Sequence, residues 1–167
     1  MGSRVSLPPS SGFPRLSPDN HEVTSPSTPR YNCIAWAAGD QRRWWWPDPD
    51  EVAYWPDSAP RRETIEAFVA AFGTLGYQPC DDSAFEREYS KVALYALEGS
   101  PTHAAHQRSD DRWFSKLGRS VDIAHALDAL DGPLYGKAVL FLRRANNGGS
   151  EGPLVGAARP SESGADV

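Results

Sequence analysis

The stretch YNCIAWAAGD, residues 31–40, sets Cys33, one of only two cysteines, at the start of a short Ala-rich apolar run. A thiol is a good nucleophile only as thiolate, and the unpaired N–H groups and dipole at a helix N-terminus favour that charge. With Asn32 as N-cap, Cys33 takes that place. A nucleophile also needs a base, and a strand holds an imidazole rigidly. His103 fits this need at the start of an extended segment far downstream. Each residue also has a plainer reading. A cysteine before Ile-Ala-Trp-Ala is usually a buried hydrophobe, and a histidine on a strand is usually structural. Together, in this order of elements, the two favour a thiol–imidazole pair. A metal centre is not implied: His103 and His106 are three apart and point to opposite faces of a strand, away from one shared ion with Cys80, Asp81 and Asp82.

The elements that must position these residues follow from periodicity and punctuation. A first helix is expected over Cys33–Ala38, capped by Asn32 and stopped by Gly39, with Thr28 and Pro29 as an alternative start. The aromatic run WWWPDPDEVAYWP cannot be a long helix, because Pro47, Pro49 and Pro56 interrupt it. Ile65, Phe68, Val69, Phe72 and Leu75 then recur at helical spacing between Pro60 and Gly76, the clearest helix in the chain. KVALYAL, THAAHQR and RWFSKLG read as three extended segments of an antiparallel meander over residues 91–117, turning at Gly99-Ser100-Pro101 and at Ser109-Asp110-Asp111. Ser120 caps a further expected helix that buries Val121, Ile123, Ala124, Leu127 and Leu130 and ends at Gly132-Pro133, and KAVLFLRR closes as a central strand. Helix, aromatic loop, helix, three strands, helix and strand is an α+β order.

Composition narrows the function. At 167 residues with 40% hydrophobic content and six each of Trp, Tyr and Phe, the chain suits one folded body with a real core. Its net charge of −5 and lack of any long basic run argue against nucleic acid or an anionic membrane as the main partner. No segment is apolar enough to span a bilayer and the first residues lack the pattern of a secretory signal, so a cytoplasmic location is expected. There Cys33 and Cys80 would both be free thiols. Pro8, Pro9, Pro14 and Pro18 make residues 1–20 an irregular arm, pinned by Phe13 and Leu16. Residues 146–167, rich in Gly, Ser and Pro, read as a mobile tail, leaving 21–145 as the folded domain.

The Cys33-bearing helix with Trp36 and Ala37, followed by a sheet that carries His103, resembles the papain-like fold of cysteine peptidases and amidases, which includes NlpC/P60-type enzymes. The strings YNCIAWA, WWWP, PTHAAHQ, WFSKLG and LYGKAVLFLRR together also resemble a family of uncharacterised bacterial proteins associated with that fold. The resemblance implies a thiol nucleophile at Cys33, a general base at His103 and a polar residue on the next strand that orients the imidazole. For that third residue, a tight turn at Asp110-Asp111 puts Phe114 and Lys116 on the face of His103, whereas a one-residue bulge brings Ser115 there. Ser115 is preferred because a hydroxyl can accept the imidazole N–H and a lysine cannot; Gln107 and His125 are further candidates. An oxyanion would be met by the Cys33 amide, with the Asn32 side chain either assisting or serving only as cap. Trp44, Trp45, Trp46 and Trp55 either line a substrate groove beside Cys33 or form a loop core over the first helix, and three consecutive residues cannot all face one way. Arg61 and Arg62 read as solvated charges. The expected activity is a cysteine-dependent hydrolase or acyltransferase on an amide, peptide or isopeptide bond of a peptide, protein or other substrate, without a cofactor. A non-catalytic binding module using the aromatic loop is the alternative.

Overall fold

The structure is a computed structural model that describes residues 5–8, 10–109, 112–117 and 120–146. The expected tail from residue 147 onward, and the turn residues Asp110 and Asp111, lie outside the described residues. The architecture is α+β, dominated by one antiparallel sheet. Its strands are β1 (His21–Ser25), β2 (Gln78–Cys80), β3 (Tyr89–Leu97), β4 (Ser100–Ser109), β5 (Arg112–Lys116), β6 (Asp122–His125) and β7 (Lys137–Ala145), joined in the order β1-β6-β5-β4-β3-β7-β2. The helices are α1 (Cys33–Ala38) and α2 (Ile65–Gly73).

Both helices start where their caps dictate. Asn32 Oδ1 accepts from the Ala35 amide at 3.1 Å, and Thr64 Oγ1 from the Ala67 amide at 3.1 Å, each satisfying an otherwise orphaned donor. The alternative start at Thr28 is not used. Gly39 ends α1 in the left-handed region, φ 89°, where a side chain is strained and glycine is not. From α2, Ala67, Phe68, Ala71 and Phe72 are buried, each Phe contributing about 2–3 kcal/mol of apolar transfer.

The central strands β3, β4 and β7 alternate between two cores. On one face, α1 and α2 pack with Val92, Leu94, Ala104 and Leu142. On the other, Ala93, Tyr95, Ala105, Trp113, Ile123 and Leu130 form a second core, against which Leu7, Phe13 and Leu16 of the N-terminal arm pack.

Residues 120–130 depart from the expected helix. They form β6 and then a 3₁₀ turn over Leu127–Leu130. Val121 and Ile123 repeat at two residues while Ala124, Leu127 and Leu130 repeat at three, so the stretch satisfies both periods. The vacant edges of β5 and β1 decide between them, since β6 bonds to both and all four of its residues are buried. β1 and β2 have no clear mark in the sequence: both are short edge strands, and β2 carries Pro79, which only an edge tolerates. Among the described residues, no helix is long and apolar enough to cross a membrane.

Candidate active site

Cys33 is the first residue of α1 and is 6% exposed. Its sulfur lies against the backbone of β4, within reach of the Ala104 N–H as well as the amides of Ile34 and Cys33 itself. Burial nevertheless pushes the thiol up to about 11; those amides and the charge of Lys116 pull the other way without overcoming it. A six-residue helix offers only a small dipole, and here desolvation wins. At neutral pH the resting group is a thiol.

The β4 amide is free to meet the sulfur because the sheet opens at this point. The β4–β5 ladder pairs Ser109 with Arg112, Gln107 with Trp113 and His106 with Phe114, with a one-residue irregularity between Gln107 and Ser109, and no pair follows His106–Phe114 among the described residues. That irregularity sets the register that puts Ser115, rather than Phe114 or Lys116, on the face of His103.

His103 is fully buried, and its Nε2 lies 2.9 Å from Ser115 Oγ. Ser115 Oγ is in turn 2.7 Å from His125 Nε2, and His125 Nδ1 is 2.7 Å from the Ala126 carbonyl. The carbonyl can only accept, so His125 carries its proton on Nδ1 and accepts at Nε2. The Ser115 hydroxyl therefore donates to His125, and its oxygen accepts from His103 Nε2–H. The last atom of this chain, His103 Nδ1, bears the lone pair of a neutral imidazole, and it is buried without a hydrogen-bond partner. Burial, with His125 adding to it, holds His103 well below the ordinary histidine value, and burial brings His125 down to about 4 against the opposing pull of the Ala126 carbonyl. Both rings are neutral at pH 7.

Cys33 and His103 do not hydrogen-bond to each other. His103 faces the second core, where its ring stacks on Tyr135 with centroids 4.1 Å apart and planes 9° from parallel and meets Tyr95 edge-on. The thiol sits on the α1 side of β4, one residue along the strand and beside the opened ladder.

A cavity of about 510 Å³ reaches Cys33, lined chiefly by Trp44, Trp46, Val52, Thr102 and Tyr135. The aromatic run divides as alternation requires. Trp44 and Trp46 face this cavity; Trp45 and Trp55, expected with them in a groove, are 4% and 3% exposed in the core instead. Trp55 lies against Phe68 of α2, and Trp45 against Tyr54. All four indole N–H groups are satisfied, by Pro29 O, Asp40 Oδ2, Glu63 Oε2 and Pro60 O in chain order. Arg61, which reads as a solvated charge in the sequence, is a clamp on this loop: its guanidinium donates to the carbonyls of Asp48 and Ala53 at 2.8 and 3.2 Å and to Asp48 Oδ1 at 3.2 Å. Asn32 is committed to the same loop, with Nδ2 donating to Trp45 O at 2.9 Å and Oδ1 accepting from Trp45 N at 3.1 Å. Its role here is cap and tether.

A family model described as Domain of unknown function (DUF7689) matches residues 22–143. The chain belongs to that family. No curated protein and no solved structure matches it. The part of the chain shared with DUF7689 holds Cys33, His103, Ser115 and His125 together with the whole aromatic loop.

The sequence marks one further participant at a different place and leaves another unmarked. His125 was considered as a direct partner of His103, whereas it acts one step further away, through Ser115. Tyr135 was not singled out at all, although it stacks on His103 and lines the Cys33 cavity. Its one local signal is the following Gly136, at φ 73°, where a Cβ would overlap the Ala96 carbonyl. His106, on the opposite face of β4 from His103, joins neither the chain nor the cavity.

Proposed function

We propose that the protein is a papain-like cysteine hydrolase or acyltransferase acting on an amide bond, with Cys33 as nucleophile and His103 as base. The observation that carries this reading is the lone pair on His103 Nδ1. Buried hydrogen-bonding atoms nearly always find partners, and a chain of two histidines and a serine built only for stability would be expected to close at both ends. This one is anchored at Ala126 O and ends in a bare acceptor nitrogen, on the residue that precedes the one whose amide meets the Cys33 sulfur.

In the proposed reaction a substrate carbonyl enters beside Trp44 and Trp46. The imidazole and sulfur close across the opened β4–β5 ladder, and Nδ1 takes the thiol proton as the sulfur attacks the carbonyl carbon. The amides of the first turn of α1 face the oxyanion. The C–N bond then breaks, the amine leaves with the proton held on His103, and water or a second amine resolves the thioester. Ser115 and His125 hold the imidazole with its lone pair toward the thiol.

The alternative, a module that binds through the same cavity without turnover, draws on the high pKa of Cys33 and the missing sulfur–imidazole bond. One experiment separates them. The protein is incubated at pH 7 with hydrophobic peptidyl acyloxymethyl ketones and adducts are located by mass spectrometry. The enzyme reading expects modification at Cys33 that slows by about 100-fold or more in His103→Ala. Adducts confined to Cys80, or a Cys33 rate indifferent to His103, would retire it in favour of the binding module.

A further inference from the structure

A second cavity, of about 450 Å³, opens at the other end of α1 and shares no lining residue with the Cys33 cavity. Its walls bring together Trp36, Tyr77, His106, Arg108, Phe114 and Arg144. Among the described residues no carboxylate lines it and none pairs with either arginine. Arg108 lies over the Phe114 ring, and Arg144 lies over Tyr77 and donates one N–H to Leu75 O at 3.1 Å, so most of their donors are unspent. The indole N–H of Trp36 is buried with no acceptor. Both guanidinium charges act on His106, which burial already holds below its ordinary value, so the imidazole is neutral with one N–H to give. The negative end of α1 nearby is partly offset, because the carbonyls of Ala35 and Trp36 are taken by the amides of Asp40 and Gly39.

We infer that this cavity binds the phosphoryl group of a small phosphomonoester. Two guanidinium groups and an imidazole N–H supply more donors than the two oxygens of a carboxylate can use, and they suit the three terminal oxygens of a phosphate ester. The rings of Phe114, Tyr77 and Trp36 give its organic part an apolar wall. A bound dianion offsets the two guanidinium charges that oppose protonation of His106, so the imidazole takes up a proton more easily and adds a further charge-assisted bond.

The test uses the full chain at pH 7.5 and constant ionic strength, with inorganic phosphate, phenyl phosphate and acetate as probes. Binding is read by ³¹P line broadening and by the His106 ring proton shifts. Saturable binding of phenyl phosphate is expected, tighter than inorganic phosphate and much tighter than acetate, with the His106 pKa rising on saturation. Arg108→Gln, which removes an exposed side chain without other bonds, should weaken binding by about tenfold. Arg15→Gln, paired to Asp128 at a distant surface, should leave it unchanged. Phosphate binding equal to phenyl phosphate would keep the phosphoryl site and assign it to the free ion. Acetate binding as tightly as either, no saturation, or an affinity indifferent to Arg108→Gln would overturn the inference.

Discussion

Strand β4 separates two interiors of opposite character. On the α1 side, Cys33 sits among Ile34, Ala104 and the aromatic loop, and nearly everything it meets is apolar or backbone. On the other side, His103, Ser115 and His125 form a buried polar chain in the middle of a hydrophobic cluster. The apolar side follows from transfer energy and local helix signals. The polar side is costly unless every atom is paired, and so its single unpaired nitrogen points to function rather than to stability.

The largest expected effect comes from disturbing the wall that the two sides share. Gly136 at φ 73° lets the chain pass against Ala96 while Tyr135 stacks on His103. Gly136→Ala combines backbone overlap with a disfavoured φ, and it is expected to cost about 4 kcal/mol or more in urea unfolding, or to prevent folding. A loss below 1 kcal/mol would show that Tyr135 is not held there by close backbone packing.

The next effect falls on the polar side alone. His125 titrates near 4 in the folded protein and His103 lies well below its ordinary value, whereas both return to about 6.5 when unfolded. Above about pH 7.5 neither state binds these protons and the contribution of the two histidines is flat. Below it the unfolded chain takes up protons that the folded chain refuses, so stability falls as the pH drops from about 6.5 toward 4. His125 alone accounts for roughly 3 kcal/mol of this across the full window. Measuring urea midpoints between pH 8 and about 5.5 largely avoids the carboxylates, and the His103 and His125 ring resonances should stay in their neutral positions over that range. Resonances that move near pH 6.5 would dissolve the contrast between the two sides.

How far these sides were legible from sequence differs in the same way. The thiol, its cap, α1 and α2 rest on local signals: Asn32, Gly39 and a clear helical period over residues 65–75. Ser115 was reachable only by weighing a bulge that a turn of unknown geometry would produce. β6 was misread as helix because its residues fit both periods, and the choice rested on pairing with β1, a strand that the sequence hardly marks. His125 and Tyr135 depend on that pairing and on the close pass at Gly136, so no local pattern could place them against His103.

Ser115→Ala tests the polar chain at its centre. It removes the bridge between the two rings, leaving His103 Nε2–H without an acceptor and His125 Nε2 without a donor in a site too enclosed for easy solvation. Each of the two orphaned groups costs at least about 1 kcal/mol, so a loss of about 2 kcal/mol or more is expected at pH 7. With His103 no longer held, its tautomer is free to change, and the rate of Cys33 acylation should fall more than the stability change alone explains. Ser115→Thr, which keeps the hydroxyl, should recover part of both. Stability lost with no change in acylation would leave the chain as structure only.

The smallest effect is expected on the apolar side, from Arg61→Ala. The clamp carries several hydrogen bonds, but it is partly solvated and water replaces it cheaply, so the global cost should be about 1 kcal/mol. Its local consequence is larger than that figure suggests, because Arg61 holds the backbone on either side of the turn at Asp48, the segment that sets Trp44 and Trp46 at the mouth of the Cys33 cavity. Freed of the clamp, the loop should show faster amide exchange at Ala53 and greater acrylamide quenching of tryptophan, while the ring resonances of His103 and His125 stay where they were. Arg61→Lys should behave nearly like the alanine variant, since one ammonium cannot reach both the Asp48 and Ala53 carbonyls as the fork does. If loosening the loop also shifts the histidines, the two sides of β4 are coupled through Tyr135, the one side chain that lines the cavity and stacks on His103, and the partition of the molecule into an apolar side and a polar side gives way to a single unit.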